Sequence, residues 1–151
     1  RRFMEQAEKA LARAQKRHTA MSMLMIDVDH FKTVNDQFGH VIGDKVLSAV
    51  GHVIKRRGRD FGFAGRYGGE EFVVFLQNTE KQQAKEIAEG IRKGIEGIAI
   101  EERMIPIKVT VSIGLSCCDA GECGHNVDAL LIAADRALYQ AKNRGRNRVE
   151  G

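Results

Sequence analysis

Apolar residues change their period several times along the chain, and each change marks an element. Over residues 3–18 the positions Phe3, Ala7, Ala10, Leu11 and Ala14 fall at helical spacing among Glu, Lys and Arg, which predicts an amphipathic helix. Residues 21–28 form a nearly unbroken apolar run that ends on acid, Ile26-Asp27-Val28-Asp29, as suits a strand buried on both faces. A short helix over residues 30–38 is stopped by Gly39, and a longer one over 41–57 carries Val46, Leu47, Val50, Val53 and Ile54 on its inner stripe. Residues 61–66 and 72–76 read as two strands joined across Gly68-Gly69, a pair that tolerates the positive φ angles of a tight primed turn. Thr79 with Gln82 makes a capping box for a helix with Ala84, Ile87, Ala88, Ile91 and Ile95 inward, ended by Gly97. Residues 105–116 alternate as one long strand, with Ile107, Val109, Val111, Ile113 and Leu115 inward. A last helix covers 127–142, and Arg148-Val149 adds a short final strand. After the leading helix the order is β-α-α-β-β-α-β-α with a hairpin in mid-sheet, an α+β sandwich of helices on a largely antiparallel sheet.

Composition adds little to this picture and removes several alternatives. A chain of 151 residues fits one domain, able to bury roughly 70% of its unfolded surface. One Pro and no low-complexity tract argue against disorder or an internal linker. The leading helix opens on Arg1-Arg2-Phe3 without a cap and reads as a continuation of something upstream. The net charge of +4 gathers at Lys55-Arg56-Arg57 with Arg59 and at the run from Lys142 to Arg148. Such a surface is compatible with nucleotides, with nucleic acid or with neither. Cys117, Cys118 and Cys123 are odd in number, which favours free thiols in a reducing compartment. With His125 they could bind a metal, but their spacing matches no common zinc pattern. No apolar run is long enough to span a bilayer and no signal peptide is visible, so the expected location is cytoplasmic.

Two acidic places stand out. Asp27 and Asp29 end a buried strand, where charge is costly unless it is paired or holds a cation. Glu70 and Glu71 follow the Gly-Gly turn, where side-chain alternation would aim only one of them at a given ligand. Gly68 and Gly69 lack Cβ atoms, so a nucleotide phosphate can approach the backbone there. If the first strand lies beside the hairpin, Asp27 comes close to Glu70. With the Val28 carbonyl these acids form an oxygen-only site suited to Mg²⁺, whose remaining ligands would be waters and phosphates. Blander readings stay open: strand-end solvation or helix capping for Asp27 and Asp29, and a solvated turn for Glu70 and Glu71.

Five stretches, taken in order, resemble the successive motifs of one family. They are Asp27-Val28-Asp29-His30-Phe31-Lys32-Thr33-Val34-Asn35-Asp36, then Phe38-Gly39-His40 with Gly43-Asp44, then Gly68-Gly69-Glu70-Glu71-Phe72. Val111-Ser112-Ile113-Gly114 follows, and last the segment from Ala134 to Lys142 with Gly145-Arg146-Asn147. The order resembles the GGDEF family of bacterial diguanylate cyclases, which condense two GTP into cyclic di-GMP and two pyrophosphates. The resemblance covers nearly the whole chain and implies a nucleotidyl-cyclase, palm-like fold. It implies that Asp27, the Val28 carbonyl and Glu70 hold Mg²⁺ (or Mn²⁺), that Glu70 also activates the 3′-hydroxyl, and that Glu71 is an auxiliary metal contact. Asn35 and Asp44 match guanine readers, and a carboxylate does accept from the guanine N1–H and N2–H₂ edge, where adenine offers nothing equivalent. His40 matches a substrate-pocket position, and Lys32, Lys142 and Arg146 match phosphate contacts. Taken alone, Asn35 could face water, Asp44 could be a first-turn acid, and Lys142 and Arg146 could merely complement a helix C-terminus.

The sequence departs from the family pattern in two places. The family's product-inhibition site is an Arg-x-x-Asp separated by five residues from the first signature Gly. Arg59 falls in place, but the matching Asp position is Gly62, while Arg57-Gly58-Arg59-Asp60 spells the motif two residues early. The site either survives through a small insertion or, as slightly favoured here, is lost or weakened. An upstream Asp-x-Leu-Thr segment that helps close the guanine pocket is represented only by Arg1-Arg2-Phe3, as expected for an excised catalytic domain whose sensor, and any membrane attachment, lies upstream. Because each domain holds one GTP, the resemblance also implies a homodimer, with low activity in isolation. The competing reading is a catalytically silent receptor of GTP or cyclic di-GMP, against which the intact acids argue. Nucleic-acid binding through the basic C-terminal run finds no support, since no aromatic residues interleave with those charges.

Overall fold

The computed structural model describes residues 2–121 and 126–151. Its elements in chain order are α1 (Arg2–Arg17), β1 (Met21–Val28), α2 (Phe31–Phe38), α3 (His40–Gly58), β2 (Gly62–Arg66) and β3 (Glu71–Gln77). They continue as α4 (Lys81–Glu96), β4 (Ile100–Glu102), β5 (Ile105–Ile107), β6 (Val111–Cys118), α5 (Val127–Asn143) and β7 (Val149–Glu150). The main sheet has the order β2-β3-β1-β6-β7, antiparallel except for the β6–β7 pair. The expected α+β architecture is therefore present. The hairpin lies at one edge, however, and β1 is the central strand.

All eight residues of β1 are buried, and alternation divides them between two cores. Leu24, Ile26 and Val28 join α2, α3 and α4 on one face, whereas Met21, Met23 and Met25 join α1 and α5 on the other. Asp27 falls in the second register, so its carboxylate emerges on the α5 side. Its cross-strand partner is Glu71. Helix α5 approaches the sheet closely at Gly114, where a Cβ would collide with the Ala134 carbonyl and the Leu138 amide. Asn126 caps the same helix by accepting from the Ala129 N–H at 2.8 Å.

Three local expectations are corrected. The 105–116 strand is broken: β5 folds back on an unforeseen β4 in a separate two-stranded sheet, and the chain bends at 108–110 before β6. The bend exists because Thr110 turns its carbonyl to the Asp29 N–H and its hydroxyl to the Asp29 carboxylate. The Thr79–Gln82 capping box is absent. Thr79 is fully buried, its hydroxyl donates to the Gln77 carbonyl at 2.7 Å, and α4 starts from Glu80 without a side-chain cap. The Gly68-Gly69 turn is wider than a two-residue primed turn, and neither glycine has a positive φ. It closes instead through the Tyr67 and Gly68 N–H groups, both donating to the Glu71 carbonyl.

The thiol expectation also changes. Cys118 is disulfide-bonded, so among the described residues the free-thiol expectation holds for Cys117 alone, whose burial pushes the thiol pKa up. Alternation along β6 places the two on opposite faces, so they cannot pair with each other. Cys123 and His125, and with them the zinc alternative, lie outside the described residues. Among the described residues no helix is long and apolar enough to cross a membrane.

Candidate active site

The ends of β1 and β3 meet at the acids. The Val28 N–H donates to the Glu70 carbonyl at 3.2 Å, which seats the turn residue Glu70 directly beside Asp27. The carboxyl of Glu70 lies close enough to Asp27 for the two charges to act on each other. Lys142, from the last turn of α5, places its Nζ 2.6 Å from Asp27 Oδ2. Burial, followed by the charge of Asp27, raises the Glu70 pKa, while Lys142 opposes the shift. Glu71 is raised by burial, then by Asp27, with Asp135 adding to it and Lys142 again opposing. Both glutamates thus share one field. Alternation fails to separate them because Glu70 lies in the turn, ahead of β3.

One ammonium facing Asp27, Glu70 and Glu71 leaves a surplus of negative charge. Hard oxygen donors in excess are what a divalent cation takes. The donor set therefore fits Mg²⁺ or Mn²⁺, which Asp27, Glu70 and the Val28 carbonyl could hold. Among the described residues no three His, Cys, Asp or Glu side chains form a ready-made metal cluster. Such a site is completed by waters or substrate oxygens rather than by a full protein cage. Gly69 has open space where a Cβ would stand, so a ligand can reach its backbone.

Asn35 does not face water. Its Oδ1 is buried without a hydrogen-bond partner, pressed against α3 where only Gly43 leaves room for it. Asp44, next to Gly43, is exposed at the mouth of a groove of about 540 Å³ between α3 and β2, which Leu47, Gly51, Ala64, Arg66 and Phe72 also line. Lys32 on α2, His40 at the first position of α3 and Arg146 after α5 are all exposed. Among the described residues none of these three side chains is held by an ion pair.

The basic segment before β2 is not a single cluster. Arg57 lies across α4 near Gly90 and Gly94, whereas Arg59 and Asp60 form an exposed ion pair at 3.9 Å. Gly62 pairs with Leu76 in β2, and a Cβ there would strike the Phe75 carbonyl. No aspartate fits that position in this backbone.

Asp29 stood out in sequence as an acid ending a buried strand, but its partners and the reach of Asp135 did not. Asp29 is buried and accepts from Thr110 Oγ1 and Ser112 Oγ, each at 2.7 Å, and from the Asn147 N–H at 3.0 Å. The one visible signal of these partners was the pair Thr110 and Ser112, two hydroxyls on one face of an otherwise apolar strand. Asp135, whose charge reaches Glu71, reads in sequence as an ordinary solvated helix residue.

Comparison with known proteins agrees with this geometry. The family model "Diguanylate cyclase, GGDEF domain" matches residues 1–148. Diguanylate cyclase A of Treponema denticola is 45% identical over 134 residues, covering 85% of this chain and 34% of that protein. The response regulator PleD of Caulobacter vibrioides is 42% identical over 154 aligned positions, covering all of this chain and 34% of its own length. The chain thus spans about a third of these curated relatives. Among solved structures, the active GGEEF domain of a Vibrio cholerae diguanylate cyclase superposes with a TM-score of 0.90 at 36% identity, over 99% of this chain and 94% of that one. The GGDEF domain of DgcB from Caulobacter crescentus, solved with c-di-GMP, gives 0.91 at 33% identity, over 98% and 84% of the two chains. With a match running from end to end and its acids gathered at the strand ends, this chain belongs to the GGDEF family of diguanylate cyclase domains.

Proposed function

We propose that this domain condenses two GTP into cyclic di-GMP and two pyrophosphates, with one GTP bound per domain and two domains facing each other. The observation that carries this reading is the seating of Glu70 beside Asp27 at the end of a buried sheet, through the Val28 N–H to Glu70 carbonyl bond, with Lys142 on Asp27. Asn35, whose Oδ1 has no donor within the protein, supports guanine as the base once its amide turns from Gly43 toward the guanine edge. Asp44 at the mouth of the neighbouring groove is a second acceptor for the same edge.

When bound, Mg²⁺ or Mn²⁺ supplies positive charge at the reacting phosphates. The chain's own residues do the rest. Glu70 takes the proton from the 3′-hydroxyl of one GTP, and its raised pKa makes it a stronger base than an exposed glutamate. The freed 3′-oxygen attacks the α-phosphorus of the other GTP, the O3′–P bond forms, the bond to the bridging oxygen breaks, and pyrophosphate leaves. The same step in the opposite sense closes the ring. Lys142, Lys32 and Arg146 offset the phosphate charge, and Glu71 adds to the field at the cation. Both nucleotides must be held in line, so the rate should grow with the concentration of paired domains.

The test is product analysis with GTP and with 3′-deoxy-GTP at high protein concentration. Cyclic di-GMP and pyrophosphate from GTP alone, with a rate that rises more steeply than linearly with protein, support a cyclase. Tight GTP or cyclic di-GMP binding with no product, even when two domains are fused to a dimerising helix, would identify a silent receptor instead.

A further inference from the structure

Arg92 sits on α4, outside every motif considered above, yet it anchors the turn that carries Arg146. Its side chain is only 14% exposed. Nη1 donates to Asn147 Oδ1 at 2.9 Å and Nε donates to Glu89 Oε1 at 2.8 Å, with Nη2 also on Glu89 and Glu96 nearby at 3.7 Å. Asn147 completes the bridge by donating from Nδ2 to Glu96 Oε2 at 2.6 Å and from its backbone N–H to Asp29 Oδ2 at 3.0 Å. One asparagine is thus fastened both to α4 and to the end of β1, two residues beyond Asp27.

The backbone held this way is strained. Gly145, Arg146 and Asn147 have φ of 116°, 61° and 46°, three consecutive left-handed residues of which two carry side chains. Such a conformation persists only where surrounding contacts over-determine it, and it concentrates at functional sites. Among the described residues the Arg146 side chain makes no hydrogen bond or ion pair, so the strain presents a free guanidinium just after α5, the helix that brings Lys142 to Asp27.

We propose that Arg92 is a positioning residue for the triphosphate: through Asn147 it fixes the left-handed turn that aims Arg146, and with it the end of α5, at the phosphates beside Asp27 and Glu70. The inference rests on the reading of those acids as a GTP site. The guanidinium suits the role because its planar fork engages Glu89 and Asn147 in fixed directions at once, whereas a lysine ammonium on a flexible stem does not.

Three variants test it: Arg92→Lys, Asn147→Ala and the double substitution. Two readouts are needed, the KM and kcat for GTP and the affinity for a non-hydrolysable GTP analogue. Arg92→Lys keeps charge near Glu89 and Glu96, so its melting temperature should stay close to the parent's. Its KM and analogue Kd should nevertheless rise about tenfold, with kcat within about twofold. Asn147→Ala should give the same split, and the double variant should be little worse than either single one, because both break one bridge. If Arg92→Ala is made and fails to fold, Arg92→Lys and Asn147→Ala still decide the matter. An unchanged KM and Kd in the folded single variants, or full additivity in the double, would overturn the proposal. If the parent binds the analogue but makes no product, the cyclase reading fails and the analogue affinities still judge Arg92.

Discussion

Glu70 and Glu71 are the residues whose chemistry is most exposed to solution conditions. Their pKa values are raised in the folded state, so the protonated forms are favoured there. The stability they contribute is complete below their unfolded pKa and is lost as pH rises through the folded one. A bound cation reverses this by stabilising the ionised forms. Thermal melting with and without Mg²⁺ should therefore show a larger Mg²⁺-induced shift at about pH 8 than at about pH 5. In Glu70→Gln that pH-dependent difference should shrink, and equal shifts at both pH values would argue against a cation at these acids. Asn35 makes a second prediction. Replacing it with Ala removes the buried acceptor, and guanine-over-adenine discrimination in kcat/KM should fall by about tenfold, equivalent to roughly 1–3 kcal/mol. The approach of Asp27 to Glu70 was legible in sequence on one condition, that the first strand lie beside the hairpin, and the order β2-β3-β1 meets it. The joint field of Glu70 and Glu71 was not, because alternation applies only once the strand has begun.

At the scale of elements, the site depends on how closely α5 lies on the sheet. Gly114 permits that approach, and Lys142 reaches Asp27 from the same helix. Gly114→Ala should destabilise the domain by roughly 2–3 kcal/mol in urea denaturation, because the methyl group meets backbone atoms of Ala134 and Leu138 that cannot rotate away. A loss below about 0.5 kcal/mol would show that α5 can shift freely. The helices and the central strands were readable because their apolar periods are long and unambiguous. The β4–β5 hairpin was not, since Arg103 and Met104 form its turn with left-handed φ values of 51° and 65° and neither is a usual turn residue. The break at 108–110 was hidden for a related reason. Alternation continues through it in sequence, and only the buried carboxylate of Asp29, distant along the chain, draws Thr110 out of the strand.

For the whole molecule, the proposed catalysis by two opposed domains would make activity a property of the pair, and feedback a question about surfaces away from the acids. Gly62 has no room for a side chain in β2, and Arg57 turns toward α4 while Arg59 pairs with Asp60 in solvent. Added cyclic di-GMP should therefore leave the initial rate within about twofold of its uninhibited value at concentrations far above the enzyme's. Strong inhibition would mean that the basic residues regroup around the product. That family-level identity was legible from motif order, whereas the Arg92–Asn147 bridge was not: a charged residue on an amphipathic helix looks like solvated surface until the turn after α5 is folded against it.

The most direct measurement is cyclic di-GMP production from GTP and Mg²⁺ by the parent and by Glu70→Gln, compared at equal concentration and with GTP-analogue binding checked in both. The substitution keeps size and polarity while removing the base and an anionic ligand, so the parent should form product and the variant should fall by about a hundredfold or more. Product formation by the variant at the parent's rate would contradict catalysis at the Asp27–Glu70 site.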